Sequence, residues 1–231
     1  MNTIKYLLEN SHLPGPRGNL ELLYDFAADC SLELVEECLT YIKEETVNSP
    51  EECVGMCGIL GFSLLNKNDL PMVFKFLRPY SSHSSWRIRE SVAIAIQELA
   101  SGGLAEILTE LKAFVEGNAF EMRAVVAGLC EPKLLNNRRY NSEILKILLE
   151  ISETLNQSDK FTAAEESLRK ALGYGWSVVI AKSPDQGKEY FEKLLGFKSK
   201  HINWVIKENL KKNRLIKMDP GWVKKIEEKL K

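Results

Sequence analysis

Three features of this sequence together predict an all-α fold. Hydrophobic positions recur at i, i+3, i+4 and i+7 in most windows, the spacing of one helix face. Strand signals are almost absent, because the β-branched residues fall inside those longer helical patterns. Residues that cap helix N-termini also punctuate the chain at regular intervals.

The opening stretch, MNTIKYLLENSHLPGP, has a short apolar run followed by Pro14 and Pro16, so residues 1–18 read as an N-terminal cap segment with an irregular end. Asn19 then opens NLELLYDFAADC, which puts Leu20, Leu23, Phe26 and Ala27 on one face. Ser31 opens SLELVEECLTYIKEE, with Leu32, Val35, Cys38, Leu39 and Ile42 on another. Ser49 before Pro50 and Asp69 before Pro71 start the next two helices, since a first-turn proline gives up an N–H that has no partner there. Ser84 or Ser85 caps the run from Trp86.

Ser142, Ser158, Ser183 before Pro184 and Asp219 before Pro220 mark the later starts. The glycines of GILGF and GYGWS permit close helix packing or end a helix, with Gly173 and Gly175 read as a helix boundary, and residues 131–141 form an irregular stretch around Pro132. The punctuation implies about eleven to thirteen helices of roughly 10 to 17 residues on short loops.

With 231 residues, 45% hydrophobic and 27% charged, the chain is long enough for a sizeable core. Lys plus Arg number 31 against 32 Asp plus Glu, a formal charge of −1, so any attraction to nucleic acid has to be local. Acidic residues dominate 21–52. No apolar run reaches the roughly 18 residues a spanning helix needs, and no cleavage site follows the N-terminal run, so a cytoplasmic protein is expected. Cys30, Cys38, Cys53, Cys57 and Cys130 form no CxxC pair and have no histidines at ligand spacing, which points to reduced core thiols.

The chain resembles itself. Shifted by 34 places, Trp86, Ile88, Arg89, Val92 and Ala93 fall on Phe120, Met122, Arg123, Val126 and Ala127. Shifted by 118, Trp86, Ile88, Arg89 and Glu90 fall on Trp204, Ile206, Lys207 and Glu208. A fainter copy lies in EECVGMCGILGFSLL. The shared pattern is aromatic, any residue, aliphatic, basic, then a helix with small residues on its packing face.

At these residues the chain resembles HEAT-repeat proteins, whose second helix commonly opens with an aromatic or aliphatic residue, an aliphatic one and an arginine. LPGPRGNLELL, ALGYGWSVVIA and INWVIKENLKKNRL look like a group of bacterial HEAT-repeat proteins with no assigned activity. The resemblance covers most of the chain. It implies a right-handed α-solenoid of about five to six antiparallel helix pairs, forming one continuous body over 1–231.

A more distant resemblance is to the HEAT-like DNA alkylation-repair glycosylases. These hold duplex DNA in a basic groove lined with tryptophans and use an aspartate beside the exposed base. Arg89, three residues after Trp86, matches the place of a DNA-contacting arginine. The rest of that site is missing. ECVGMCGIL stands where the tryptophan and aspartate cluster belongs, Ala127 where an aromatic lines the groove, and Trp176 in GWSVV has no acid beside it.

No phosphate-cradling glycine loop, HExxH or GxSxG is present, so no cofactor, no metal site and no catalytic residue is expected. His83 and His201 each stand three residues before a repeat tryptophan, at a helix entrance, and read as capping or surface residues. The acidic pairs, such as Glu36 and Glu37, read as solvated faces, because adjacent helical residues point about 100° apart.

The candidate binding residues on a concave face are Trp86, Arg87, Arg89, Arg123, Trp176, Trp204, Lys207, Lys211 and Arg214. Lys207, Lys211 and Arg214 share a face at i, i+4 and i+7 if one helix carries them. The recurring cation at 89, 123 and 207 has two readings. It could join a ladder that satisfies helix-end carbonyls and acids of an adjoining repeat, or it could meet phosphates; the ladder weighs more. Trp86 and Ile88 are expected to seat their helix. Arg87 and Arg89 point about 200° apart, so one of them should face outward. The leading functional expectation is a non-enzymatic scaffold that holds a macromolecule, protein rather than DNA, with no membrane partner. The other is a DNA-binding relative of the repair glycosylases that lacks base excision.

Overall fold

The computed structural model describes residues 3–230, and all regular structure among them is helical: fifteen α-helices and three short 3-10 turns, with no strand. The chain divides into two compact units, Met1–Leu111 and Lys112–Lys231.

The first unit holds α1 (Thr3–Glu9), α2 (Leu20–Ala28), α3 (Leu32–Leu39), α4 (Pro50–Leu65), α5 (Leu70–Tyr80), α6 (Trp86–Gly102) and α7 (Leu104–Glu110). Helices α1, α2, α3 and α6 pack on α4, whose residues from Glu52 to Gly61 are all buried. Glycine makes that central position possible. A Cβ added at Gly55 would lie 2.7 Å from Ile42 Cγ1, at Gly58 3.0 Å from Cys38 Cβ, and at Gly61 2.8 Å from Val35 Cγ2. The helix therefore lies closer to α3 and the turn after it than a chain bearing side chains at those positions could. Fully buried Ile59 and Leu60 each contribute roughly 1.5–3 kcal/mol relative to exposure.

The caps predicted by local chemistry form at Asn19, Ser31, Asp69, Ser85 and Asp219, each of whose side chains accepts a first-turn N–H. Ser49 and Ser183 stand at N-caps without such a bond. Helix α3 stops at Leu39, so Ile42 reaches the core from the turn beyond it.

The second unit holds α8 (Lys112–Val115), α9 (Ala119–Leu129), α10 (Asn141–Gln157), α11 (Ala163–Lys182), α12 (Pro184–Lys193), α13 (Lys200–Leu210), α14 (Asn213–Met218) and α15 (Pro220–Glu228). Helices α9, α10, α12, α13 and α14 all pack on α11.

The structure corrects two readings of the sequence here. Gly173 and Gly175 end nothing: they lie buried inside the 20-residue α11, where a Cβ would meet Trp204 Cζ3 at 2.7 Å and Cys130 Sγ at 2.8 Å. Their role is close approach, and neither has positive φ. Ser158 closes α10, and Thr162 starts α11 through a reciprocal capping box with Glu165.

All five cysteines are free; Cys38, Cys53, Cys57 and Cys130 are buried and Cys30 half-buried. Burial pushes the Cys38 thiol up to about 12 and raises Cys130 further. Among the described residues no helix is long and apolar enough to cross a membrane.

Candidate functional site

At the start of α6 the Ser85 hydroxyl accepts the N–H groups of Arg87 and Ile88, which fixes the directions of the three side chains that follow. Ile88 goes into the core. Trp86, expected to seat the helix, is instead 50% exposed. Arg87 turns inward, with 4% exposure. Its Nη1 donates to Glu52 Oε2 at 2.9 Å and its Nη2 to the Gly15 carbonyl at 2.7 Å. Glu52 also accepts the Ser85 hydroxyl and the Asn48 N–H. Arg87 is thus a strut tying the 11–18 loop and the start of α4 to the start of α6, with no surface to offer a partner.

Arg89 is half-buried, and its Nη1 donates to the carbonyls of His83 and Ser84. Through these two bonds it closes the loop before its own helix, satisfying carbonyls near the helix start. His83 assists, its Nδ1 accepting the Ser85 N–H.

The remaining candidates lie in the second unit. Trp176 is fully buried: its indole N–H donates to Ser152 Oγ at 3.1 Å and its ring meets Phe191 edge-on at 5.7 Å. It is a core residue. Arg123 is half-buried on α9, and Lys207 and Lys211 are exposed. The single helical face expected for Lys207, Lys211 and Arg214 does not form, because α13 ends at Leu210 and α14 begins at Asn213. Buried Asn209 fixes that end: its side chain accepts the Ser177 N–H and donates to the carbonyls of Leu172 and Val205.

Trp204 does reach a surface, and it does not stand alone there. The Arg169 guanidinium carbon lies 4.5 Å from the Trp204 ring centroid and 4.6 Å from that of Phe161. His201 stacks on Phe161 with centroids 3.8 Å apart and planes 4° from parallel. Arg169 Nη1 is 3.4 Å from His201 Nδ1. An arginine N–H can only donate, so Nδ1 accepts and the neutral ring carries its proton on Nε2. Partial burial, then the charges of Arg169 and Lys200, hold the His201 pKa below its usual value. Gly173 gives the Trp204 ring room against α11. Next to Gly173 on α11, exposed Tyr174 has Arg214 of α14 4.8 Å from its ring.

Beside this cluster is a cavity of about 720 Å³, lined among others by Asn156, Asp159, Phe161, Lys198, Lys200 and His201. Its wall includes the start of α13, where Asn156 Oδ1 accepts the Ser199 N–H and Ser199 Oγ accepts that of His201. Between residues 198 and 231 the sequence carries eleven Lys and Arg against four Asp and Glu. Between 21 and 52 it carries ten Asp and Glu against one Lys.

The candidate surface thus comprises Trp204 and Arg214 from the sequence reading, joined by Phe161, Arg169, Tyr174 and His201, which that reading did not select. The one local signal for Arg169 is its position four residues before Gly173, a helical glycine that admits a ring. Among the described residues no group of three or more His, Cys, Asp or Glu side chains is placed to hold a metal ion. Compared with known proteins, the chain matches no family model, no curated protein and no solved structure.

Proposed function

We propose that this chain is a non-enzymatic binding module, a HEAT-like α-solenoid of stacked helix pairs that holds a macromolecular partner, a protein. The solenoid reading is supported within each unit by the way alternate helices meet: α4 packs on α6, and α11 packs on both α9 and α13. The observation that carries the binding reading is the Arg169 cluster. A guanidinium held between two rings, beside a cavity of about 720 Å³, is a preordered polar surface with little side-chain entropy left to lose on association.

The test is affinity purification of cross-linked complexes, followed by reconstitution from purified components and light scattering of the complex. A defined stoichiometric complex with a protein supports the reading. Retention of duplex DNA with no reconstituted protein complex contradicts it.

A second reading, binding to DNA without base excision, is favoured by the excess of eleven cationic over four anionic residues between 198 and 231. Its signature is a steep loss of affinity for a duplex between low and moderate salt, as expected when several phosphates are neutralised.

A further inference from the structure

Resting on the binding-module reading, we infer that the face built by α11, α13 and α14 is a docking surface for an acidic, carboxylate-bearing segment of a partner protein, with Arg169 as its anchor. Three observations select that occupant. First, the aromatic rings already have polar neighbours: a guanidinium at Trp204, a guanidinium and an imidazole at Phe161, and a guanidinium at Tyr174. Rings engaged in this way are poor platforms for stacking bases, whereas a guanidinium stacked on a ring keeps its edge N–H groups for a carboxylate.

Second, among the described residues no ion pair joins Arg169 to a carboxylate; Glu166, whose carboxyl pKa its charge helps to lower, is engaged by Lys170 at 2.8 Å. Arg169 Nη1 meets His201 Nδ1, a neutral acceptor, at 3.4 Å. Third, Lys198 and Lys200 line the adjoining cavity and are exposed, while Asp159 is the carboxylate on that wall. An acidic side chain entering there meets two lysines against one carboxylate, and the Phe161 and His201 walls of the cavity are the groups that hold the Arg169 guanidinium.

The test is fluorescence anisotropy of the full chain with a labelled peptide of about twelve residues rich in Glu and Asp, at low salt. A Lys-rich peptide of equal length and a duplex of about twelve base pairs serve as comparisons. The variants are Arg169→Ala, Arg169→Lys, and Lys198→Glu combined with Lys200→Glu; the last pair is exposed and leaves the aromatic cluster intact. The acidic peptide is expected to bind in preference to both comparisons. Affinity should fall at least about fivefold in Arg169→Ala and in the double charge reversal, with Arg169→Lys recovering little of it. The inference is overturned if the acidic peptide is not retained, if these variants bind it like wild type, or if the duplex binds more tightly and is lost on the same substitutions. A purified protein partner that binds regardless of Arg169 would leave the binding module standing and remove this site from it.

Discussion

Replacing Arg87 by alanine should destabilise the first unit by several kcal/mol while leaving the acidic-peptide affinity of the folded chain unchanged. Arg87 and Glu52 have side chains 5% and 0% exposed and meet at 2.9 Å. Truncation leaves the Glu52 carboxylate buried with only the Ser85 hydroxyl and the Asn48 N–H as donors, and the Gly15 carbonyl loses the Arg87 donor. Breaking a buried pair from one side costs about 3–5 kcal/mol, because the remaining charge is neither solvated nor paired. Removing both charges with apolar residues of similar size is commonly close to neutral. Arg87→Met with Glu52→Leu should therefore recover most of the loss, short of roughly 1–2 kcal/mol for the polar groups left behind. Urea unfolding followed by far-UV circular dichroism, with midpoint and slope fitted together, measures both variants. A single-variant cost below about 1 kcal/mol, or a double variant worse than the single, would refute the strut.

Four further outcomes follow from the local surroundings of named residues. Gly187→Ala puts a methyl 2.7 Å from the Ile180 Cα, a backbone atom that cannot swing away, and should cost about 1–3 kcal/mol. Gly196→Ala, with open space around its Cβ, should stay within about 0.5 kcal/mol by the same unfolding assay. Native thiol titration at mild alkaline pH should modify half-buried Cys30 before Cys38 and Cys130, since burial raises and shields both of these; rapid reaction of Cys130 would contradict its packing. The Trp222 indole N–H, bonded to Glu192 Oε1 at 2.9 Å, is the main cause holding the Glu192 carboxyl below its usual range, with Lys229 and Lys225 adding to it. The folded state therefore holds that proton less tightly than the unfolded one. The stabilisation is full above the ordinary carboxylate range and is lost as pH falls below that range through the lower folded-state value, so tryptophan emission should shift to the red below about pH 4 in the wild type and less in Glu192→Gln.

What the sequence disclosed and what it concealed divide by the range of the interaction. Asn19, Ser31, Asp69 and Ser85 were legible as caps because each bonds an N–H two or three residues away. Close packing was one of the two roles legible for Gly173 and Gly175, but their place inside a helix was not, since what they approach is Trp204 in one case and Cys130 in the other. The repeat pattern located the tryptophan and the cation at each helix but not their surroundings. At Trp86 the following arginine is consumed by Glu52, which stands 35 residues earlier, and at Trp204 the ring is served by Arg169, which stands 35 residues earlier on α11. Arg169 belongs to no motif; its partners Phe161, His201 and Trp204 meet only after α13 has packed on α11.

Amide hydrogen exchange of the full chain, with and without a saturating acidic peptide, tests the proposed docking face most directly. Slowed exchange concentrated in the first turns of α11 and along α13, and abolished in Arg169→Ala, is the expected result. Protection confined to α2 and α3, or identical exchange with and without the peptide, would contradict it.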